Sequence, residues 1–241
     1  MTSGTNIRRQ TPGLEIIFEN ESLVAVNKPH GLLVHRSSIA ADAQEFALQI
    51  LRNQIGIKVY PAHRIDRKTC GVLLFAKSAA VNQVLQKFFR EGKVVKTYIA
   101  IVRGFVNEAG VIDYPLENGG KVQEATTTFK RIKRFEISLP SGKFKTSRYS
   151  LVQLIPSTGR FHQLRKHLAH INHPILGDRP HGCNKQNRLW KEKYDMTTMM
   201  LWAKELSFCL SGDETITIFA NASPEFEQCL ALLDEGNIMT N

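Results

Sequence analysis

From Thr97 to Ile155 one strand-like run follows another with no helical period between them. Thr97, Ile99 and Ile101 alternate with Tyr98, Ala100 and Val102, the two-residue repeat of a strand. Further strands are predicted near Val111, from Ala125 to Ile137 and from Arg148 to Ile155. Strands joined without a crossover helix pair antiparallel, because a parallel return normally takes a helix. This block therefore calls for a mainly antiparallel sheet.

Helices are scattered around the block rather than alternating with strands. Leu14 to Phe18 and Leu23 to Val26 read as two strands joined by a polar turn at Asn20. Asp42 with Glu45 reads as a capping box for a helix that continues through Phe46, Ile50 and Leu51 to about Ile55. Gly71 to Phe75 is a short buried strand. Ser78 caps a helix with the apolar stripe Val81, Val84, Leu85, Phe88 and Phe89, and Gly92 stops it. Thr158-Gly159 opens a helix along Arg160 to His170, whose buried face is marked by Phe161, Leu164, Leu168 and Ile171. Arg179 to Thr198 shows no clear period and reads as a loop. Thr215 to Phe219 is a strand, and Ser223-Pro224 starts a last helix with Phe226, Leu230 and Leu233 inward and Gly236 at its end. The expected class is α+β, a large mixed, mainly antiparallel sheet flanked by helices. No repeat or linker divides the chain, so a flexible basic tail over residues 1–13 and one domain over 14–241 are expected.

Charge narrows the partner. Lys plus Arg number 32 against 22 acids, a formal net charge of +10, which calls for a polyanion. Eight Lys/Arg against two acids lie between Lys121 and Arg148, and the same counts recur between Arg160 and Lys193. Beyond Lys204 there are seven acids and no Lys or Arg. The basic surface thus belongs to the middle of the chain. Cys70, Cys183, Cys209 and Cys229 have no Cys-x-x-Cys spacing, no signal peptide opens the chain, and no apolar run approaches the roughly 18 residues of a membrane span. A reduced, soluble, cytoplasmic protein is expected, with no membrane partner.

Three stretches carry chemistry. In His63-Arg64-Ile65-Asp66-Arg67-Lys68-Thr69-Cys70-Gly71, three cations flank one carboxylate just before an apolar strand. Nearby positive charge favours the ionised form, and a positioned carboxylate is a nucleophile or a base. A salt-bridged loop aspartate is the alternative, and this stretch alone does not decide. In Thr158-Gly159-Arg160-Phe161-His162-Gln163-Leu164-Arg165-Lys166-His167, Arg165 lies on the edge of the buried helix face and needs a partner, naturally a carboxylate. Arg160 near the helix start either meets a phosphate or points into solvent. In Lys96-Thr97-Tyr98-Ile99-Ala100-Ile101-Val102-Arg103-Gly104, Tyr98 is either a core tyrosine or a ring that stacks on an extruded base. His162, His167, His170 and His173 lack the spacing of a metal site, and no glycine-rich phosphate loop or dinucleotide fingerprint is present. No cofactor and no metal is expected.

Together these stretches resemble the RluA-type family of pseudouridine synthases. That family's His-Arg-Leu-Asp-x-x-Thr-Ser-Gly, Lys-x-Tyr-x-Ala-x-Val-x-Gly and Gly-Arg-x-His-Gln-Leu-Arg-x-His read here HRIDRKTCG, KTYIAIVRG and GRFHQLRKH, in the same order. Asn27-Lys28-Pro29 with Gly31, and Gly177-Asp178 with His181-Gly182, match an early and a late signature, so the likeness runs over roughly residues 14 to 220. Ile65 and Cys70 are mild departures. Trp202, where the family usually has His, is the clearest one and is expected to change packing beneath the site.

The resemblance implies an RNA pseudouridine synthase, an isomerase that works without a cofactor; a monomer is expected. It implies Asp66 as the catalytic carboxylate, Arg165 as its partner and Tyr98 as the platform for the uracil. It also implies RNA contacts by Arg64, Arg67, Arg160, His162, Lys96 and Lys28, with phosphates held by the basic stretch from 121 to 148. Val34-His35-Arg36-Ser37, Val111 to Leu116 and Arg165 to His170 look most like members acting on tRNA, at uridine 65 of the T-stem. Ribosomal RNA is the alternative substrate. A non-catalytic RNA-binding module would be marked by loss of the motif aspartate, which is present.

Overall fold

A computed structural model describes residues 13–35, 45–210 and 214–239. The expected basic tail lies outside these residues except for Gly13, as does Asp42.

The first half of the chain builds one wing. Strands β1 (Glu15–Glu19) and β2 (Leu23–Lys28) form a hairpin, whose turn is closed by Asn20 Oδ1 accepting the amides of Ser22 and Leu23. Helix α1 (Ala47–Ile55), short strand β3 (Tyr60–Pro61), strand β4 (Cys70–Ala76) and helix α2 (Ala79–Arg90) follow. All seven residues of β4 are buried, as its continuous apolar run requires. Leu73 and Phe75 pack against Leu51 of α1, while Val72 and Leu74 pack with Leu85 of α2. Fully burying each such side chain contributes about 1.5–3 kcal/mol, so the helices on both faces hold β4 in register.

The second half continues with β5 (Val95–Arg103), β6 (Ala109–Asp113), β7 (Leu116–Asn118), β8 (Lys121–Gln123), β9 (Thr126–Ile137) and β10 (Ser147–Pro156). Helices α3 (Gln163–His170) and α4 (Asn184–Tyr194), strands β11 (Leu201–Cys209) and β12 (Thr215–Phe219) and helix α5 (Pro224–Glu235) complete it. The main sheet runs β1-β2-β4-β11-β5-β10-β9-β6, with β12 on β11 and β3 on β4. Among the strands of the described residues β4 with β11 is the one parallel pair, through Trp202 opposite Cys70 and Ala203 opposite Gly71, and a lone parallel bridge joins Leu33 to Phe46. The fold is the expected α+β class.

Gly71 makes this junction possible. At φ +112 it takes a conformation that side-chain-bearing residues avoid, and a Cβ there would sit 2.1 Å from the Ala203 carbonyl oxygen. The loop that precedes Gly71 is thereby brought against β11 and β5.

Several sequence expectations need correction. Helix α1 begins at Ala47 with Phe46 at its N-cap, so Glu45 precedes the helix and the Asp42–Glu45 box does not open it. Helix α3 begins at Gln163, leaving Arg160 and Phe161 in the preceding turn. Phe161 is consequently 42% exposed instead of buried, although Leu164 and Leu168 are buried as expected. Residues Asn184–Tyr194, read as loop, are helix α4. Only Gln186 and Trp190 of it are buried, too few to give a visible apolar stripe. Trp190 Nε1 donates to the Tyr149 hydroxyl at 2.7 Å, which replaces a stripe as the anchor.

Candidate active site

A cleft of about 610 Å³ opens where the two wings of the sheet meet. Arg64, Arg90, Lys96, Arg160 and Arg165 line it, and Asp66 is its one acid. Tyr98 and Leu201 form part of its wall. In the β5–β11 register Tyr98 opposes Ala203, while Trp202 opposes Ile99, so Trp202 belongs to the other face of the sheet. There its ring lies 5.7 Å from that of Phe226, and its indole nitrogen is buried without a hydrogen-bond partner.

The loop carrying Asp66 is tied down at almost every residue. The Thr69 amide donates to the Asp66 carbonyl at 3.0 Å, closing a turn. The Gly31 amide donates to the Arg67 carbonyl at 2.8 Å, and His30 Nδ1 meets the Lys68 carbonyl at 2.6 Å. His63 Nε2 accepts the Leu74 amide at 3.1 Å. Burial pulls His63 down to about 4, with the nearby Lys96 charge acting in the same direction, so its ring is neutral and can accept.

The Asp66 carboxylate meets Arg165, a residue 99 positions later in the chain. Arg165 Nη1 donates to Asp66 Oδ2 at 3.1 Å. Its Nε and Nη2 donate to the two oxygens of Asp178 at 2.7 and 2.8 Å, a bidentate pair. Asp178 is itself held by helix α4, since Asn187 Nδ2 donates to the Asp178 carbonyl at 2.7 Å and Asn187 Oδ1 accepts the Gly177 amide at 2.9 Å.

The turn before α3 is organised by Gln163, whose amide is fully used. Its Oε1 accepts the Thr158 hydroxyl at 2.7 Å and the Arg160 amide at 2.9 Å. Its Nε2 donates to the Thr126 carbonyl at 3.0 Å and to Thr127 Oγ1 at 3.1 Å. His162 then adopts φ 56, and its Nε2 lies 3.8 Å from Asp66 Oδ2.

The expected site residues separate into those the cleft collects and those it does not. Asp66, Arg165, Tyr98, Arg64, Arg160, His162 and Lys96 all line it. Lys96 Nζ donates to the Thr158 carbonyl at 3.0 Å, and burial lowers its ammonium to about 8. Burial, and after it the negative charge of Asp66, raises the Tyr98 hydroxyl above its usual value, so it stays a phenol. Arg160 Nε donates to the Glu124 carbonyl at 3.0 Å.

Lys28 corrects the expectation of an RNA contact. It is fully buried, and its Nζ donates to the carbonyls of Pro29, Leu32 and Arg67 at 2.8, 2.9 and 3.2 Å. Burial lowers it to about 7. Three carbonyl acceptors match the three N–H groups of an ammonium, whereas a neutral amine has only two. Arg67 is outside the cleft, with Nε on the Gly31 carbonyl at 2.9 Å. None of the Lys and Arg between 121 and 148 lines the cleft, to which that stretch contributes only Gln123. There Lys133 pairs with Asp234 and Arg148 with Glu136, and both Arg134 and Arg148 lie over the Phe105 ring.

The sequence placed Asp178 and His181 in the late signature without a role for either, and it did not single out Asn187 or Arg90. For Asp178 there was a signal: it is one of two acids among eight Lys/Arg between Arg160 and Lys193. Among the described residues no group of three His, Cys, Asp or Glu converges as metal ligands, and no helix is long and apolar enough to cross a membrane.

Known proteins resemble this chain in sequence and in fold. The sequence profile of the family described as RNA pseudouridylate synthase matches residues 22–170. The tRNA pseudouridine synthase C of Vibrio parahaemolyticus is 45% identical over 207 residues, which are 81% of this chain and 84% of that one. The tRNA pseudouridine synthase C of Pasteurella multocida is 42% identical over 234 residues, 92% of this chain and 96% of that one. The solved structure of human RNA pseudouridylate synthase domain containing 4 superposes with a TM-score of 0.71 at 25% identity, covering 91% of this chain and 93% of that one.

Proposed function

Because the chain belongs to the RNA pseudouridylate synthase family, and is an isomerase that converts uridine in RNA to pseudouridine, we propose that its substrate is tRNA, at uridine 65 of the T-stem, and that Asp66 is its catalytic carboxylate. The observation that carries this reading is the pairing of Asp66 with Arg165 as the one acid of a cleft lined by five Lys/Arg side chains. The names of the relatives support tRNA over ribosomal RNA.

In the reaction the bond from ribose C1′ to uracil N1 breaks and a bond from C1′ to C5 forms. N1 gains a proton and C5 loses one, so no net electron transfer occurs. A single carboxylate oxygen serves any of three first steps: attack on uracil C6, attack on C1′, or removal of a ribose proton. Arg165 holds the carboxylate in place through its own rigid attachment to Asp178. The Tyr98 ring forms the platform for the extruded base, a role that suits a phenol kept protonated by burial. Extrusion of a stem uridine costs a few kcal/mol. Phosphate contacts from Arg90, Lys96 and Arg160 along the cleft offset this, and Arg64, which also lines it, occupies the gap left in the stem. All of these groups come from one chain, which supports action as a monomer, in the cytoplasm where tRNA is processed.

The test is Asp66→Asn. The variant is expected to bind unmodified tRNA transcript as the wild type does and to release no tritium from 5-labelled uridine. Turnover by the variant overturns the catalytic assignment. Mapping the product on tRNA and ribosomal RNA transcripts tests the substrate, and modification of ribosomal RNA alone overturns it.

A further inference from the structure

His162 sits in the left-handed region at φ 56, a conformation that costs a side-chain-bearing residue roughly 1–2 kcal/mol. It lines the cleft and its ring is not left free. Nδ1 lies 3.0 Å from Nε2 of His181, and Nε2 lies 3.8 Å from Asp66 Oδ2.

Burial, as the largest cause in each, lowers both imidazoles below their ordinary value, His162 to about 4. The groups around them divide in sign, with Asp66 and Asp178 favouring the charged rings and Arg165 and Lys166 opposing. Two neutral rings facing each other through one nitrogen apiece share a single proton in that contact, which leaves two arrangements. If His162 donates from Nδ1, its Nε2 presents a lone pair to the Asp66 carboxylate, which only accepts. If His181 donates from Nε2, the His162 proton moves to its own Nε2 and points at the carboxylate. Electrostatics selects the second arrangement.

Both donors then address the same oxygen. Arg165 Nη1 is 3.1 Å from Asp66 Oδ2, and the His162 Nε2–H faces that atom from 3.8 Å. Oδ1 takes no hydrogen bond from the described residues. One short turn orients both donors, since Asp178 grips Arg165 and His181, three residues later, grips His162. The His181 amide also reaches back to Asp178 Oδ1 at 3.4 Å.

We infer that His181 is a positioning residue that sets the tautomer of His162, so that His162 and Arg165 together hold Oδ2 of Asp66 and present Oδ1 as the reacting oxygen. This rests on Asp66 being the catalytic carboxylate. At 3.8 Å the His162 contact is electrostatic and longer than a hydrogen bond.

Two measurements test it, and one of them does not depend on turnover. Nitrogen-15 NMR of the histidine rings in the full chain is expected to show His162 protonated at Nε2 and bare at Nδ1. In His181→Leu that preference is lost. Tritium release by His181→Leu on tRNA is expected to fall in kcat by about tenfold to a hundredfold, with KM unchanged, the usual scale for a misplaced catalytic group. His181→Gln keeps a donor near the same place and recovers most of the rate. A wild-type His162 protonated at Nδ1, or a folded His181→Leu with wild-type kcat, overturns the inference and leaves Asp66 untouched. Should Asp66→Asn turn over while the tautomer is as expected, it is the Asp66 assignment that fails. The Gln variant and a melting curve separate loss of the donor from loss of the fold.

Discussion

Replacing Asp178 by Asn separates stability from chemistry at this site. Asp178 is 1% exposed and the Arg165 side chain 6%, while that of Asp66 is 21% exposed. The Asn amide keeps the shape and one acceptor but turns a donor toward the guanidinium. Breaking a buried ion pair from one side costs about 3–5 kcal/mol, because the remaining charge stays buried. Against a total stability of about 5–15 kcal/mol this is a large share. For a chain of this size each kcal/mol lowers Tm by roughly 2–4 °C, so Asp178→Asn is expected to melt about 6–20 °C lower. Asp66→Asn leaves the bidentate Arg165–Asp178 pair intact and loses one partly exposed charged hydrogen bond, about 1–2 kcal/mol. The order of melting temperatures is therefore wild type, then Asp66→Asn, then Asp178→Asn. Activity follows a different order, with Asp66→Asn inactive and Asp178→Asn retaining residual turnover below its melting point. Thermal denaturation followed by circular dichroism, with tritium release on tRNA, reads both. The reasoning is refuted if Asp178→Asn melts with the wild type, or above Asp66→Asn.

Gly71→Ala is expected to yield no folded protein by circular dichroism, since its Cβ would lie 2.1 Å from a backbone oxygen at φ +112. Gly56→Ala, at φ +71 with open space around it, is the control and should fold with a loss of about 1–2 kcal/mol. A folded, active Gly71→Ala contradicts the role given to the β4–β11 junction. Lys96 is lowered to about 8, so the cleft loses this positive charge as pH rises through that value. Affinity for tRNA, measured by fluorescence anisotropy between pH 7 and 9, is expected to weaken with rising pH. In Lys96→Gln it should start weaker and lose most of that dependence, and an unchanged dependence assigns it elsewhere. Burial also lowers Lys28, to about 7, and Lys68, which is why the variant comparison is needed.

What could be read from the chain follows what each signal depends on. The strands of β5, β9 and β10 were legible because side-chain alternation is a local consequence of one sheet face being buried. The cap at Ser78 was equally legible, its hydroxyl taking the Val81 amide at 3.2 Å within one helical turn. Helix α4 was not, because it is held by Trp190 on Tyr149 and by Gln186, partners more than 35 residues away in sequence. Lys28 was misread for a related reason: a lysine is read as exposed by default, and only the fold brings three carbonyls to its ammonium.

The sequence by itself determined the α+β class and the polyanion that a charge of +10 calls for, and it offered Asp66 and Arg165 as partners through the family resemblance. The tertiary structure alone decided that Arg165 serves two carboxylates, that Arg67 and the 121–148 cations stay out of the cleft, and that His181 stands behind His162. The physical reason is range. Burial patterns and caps act over a few residues and leave a periodic trace, whereas an ion pair or shared proton depends on directions in space that no local spacing records.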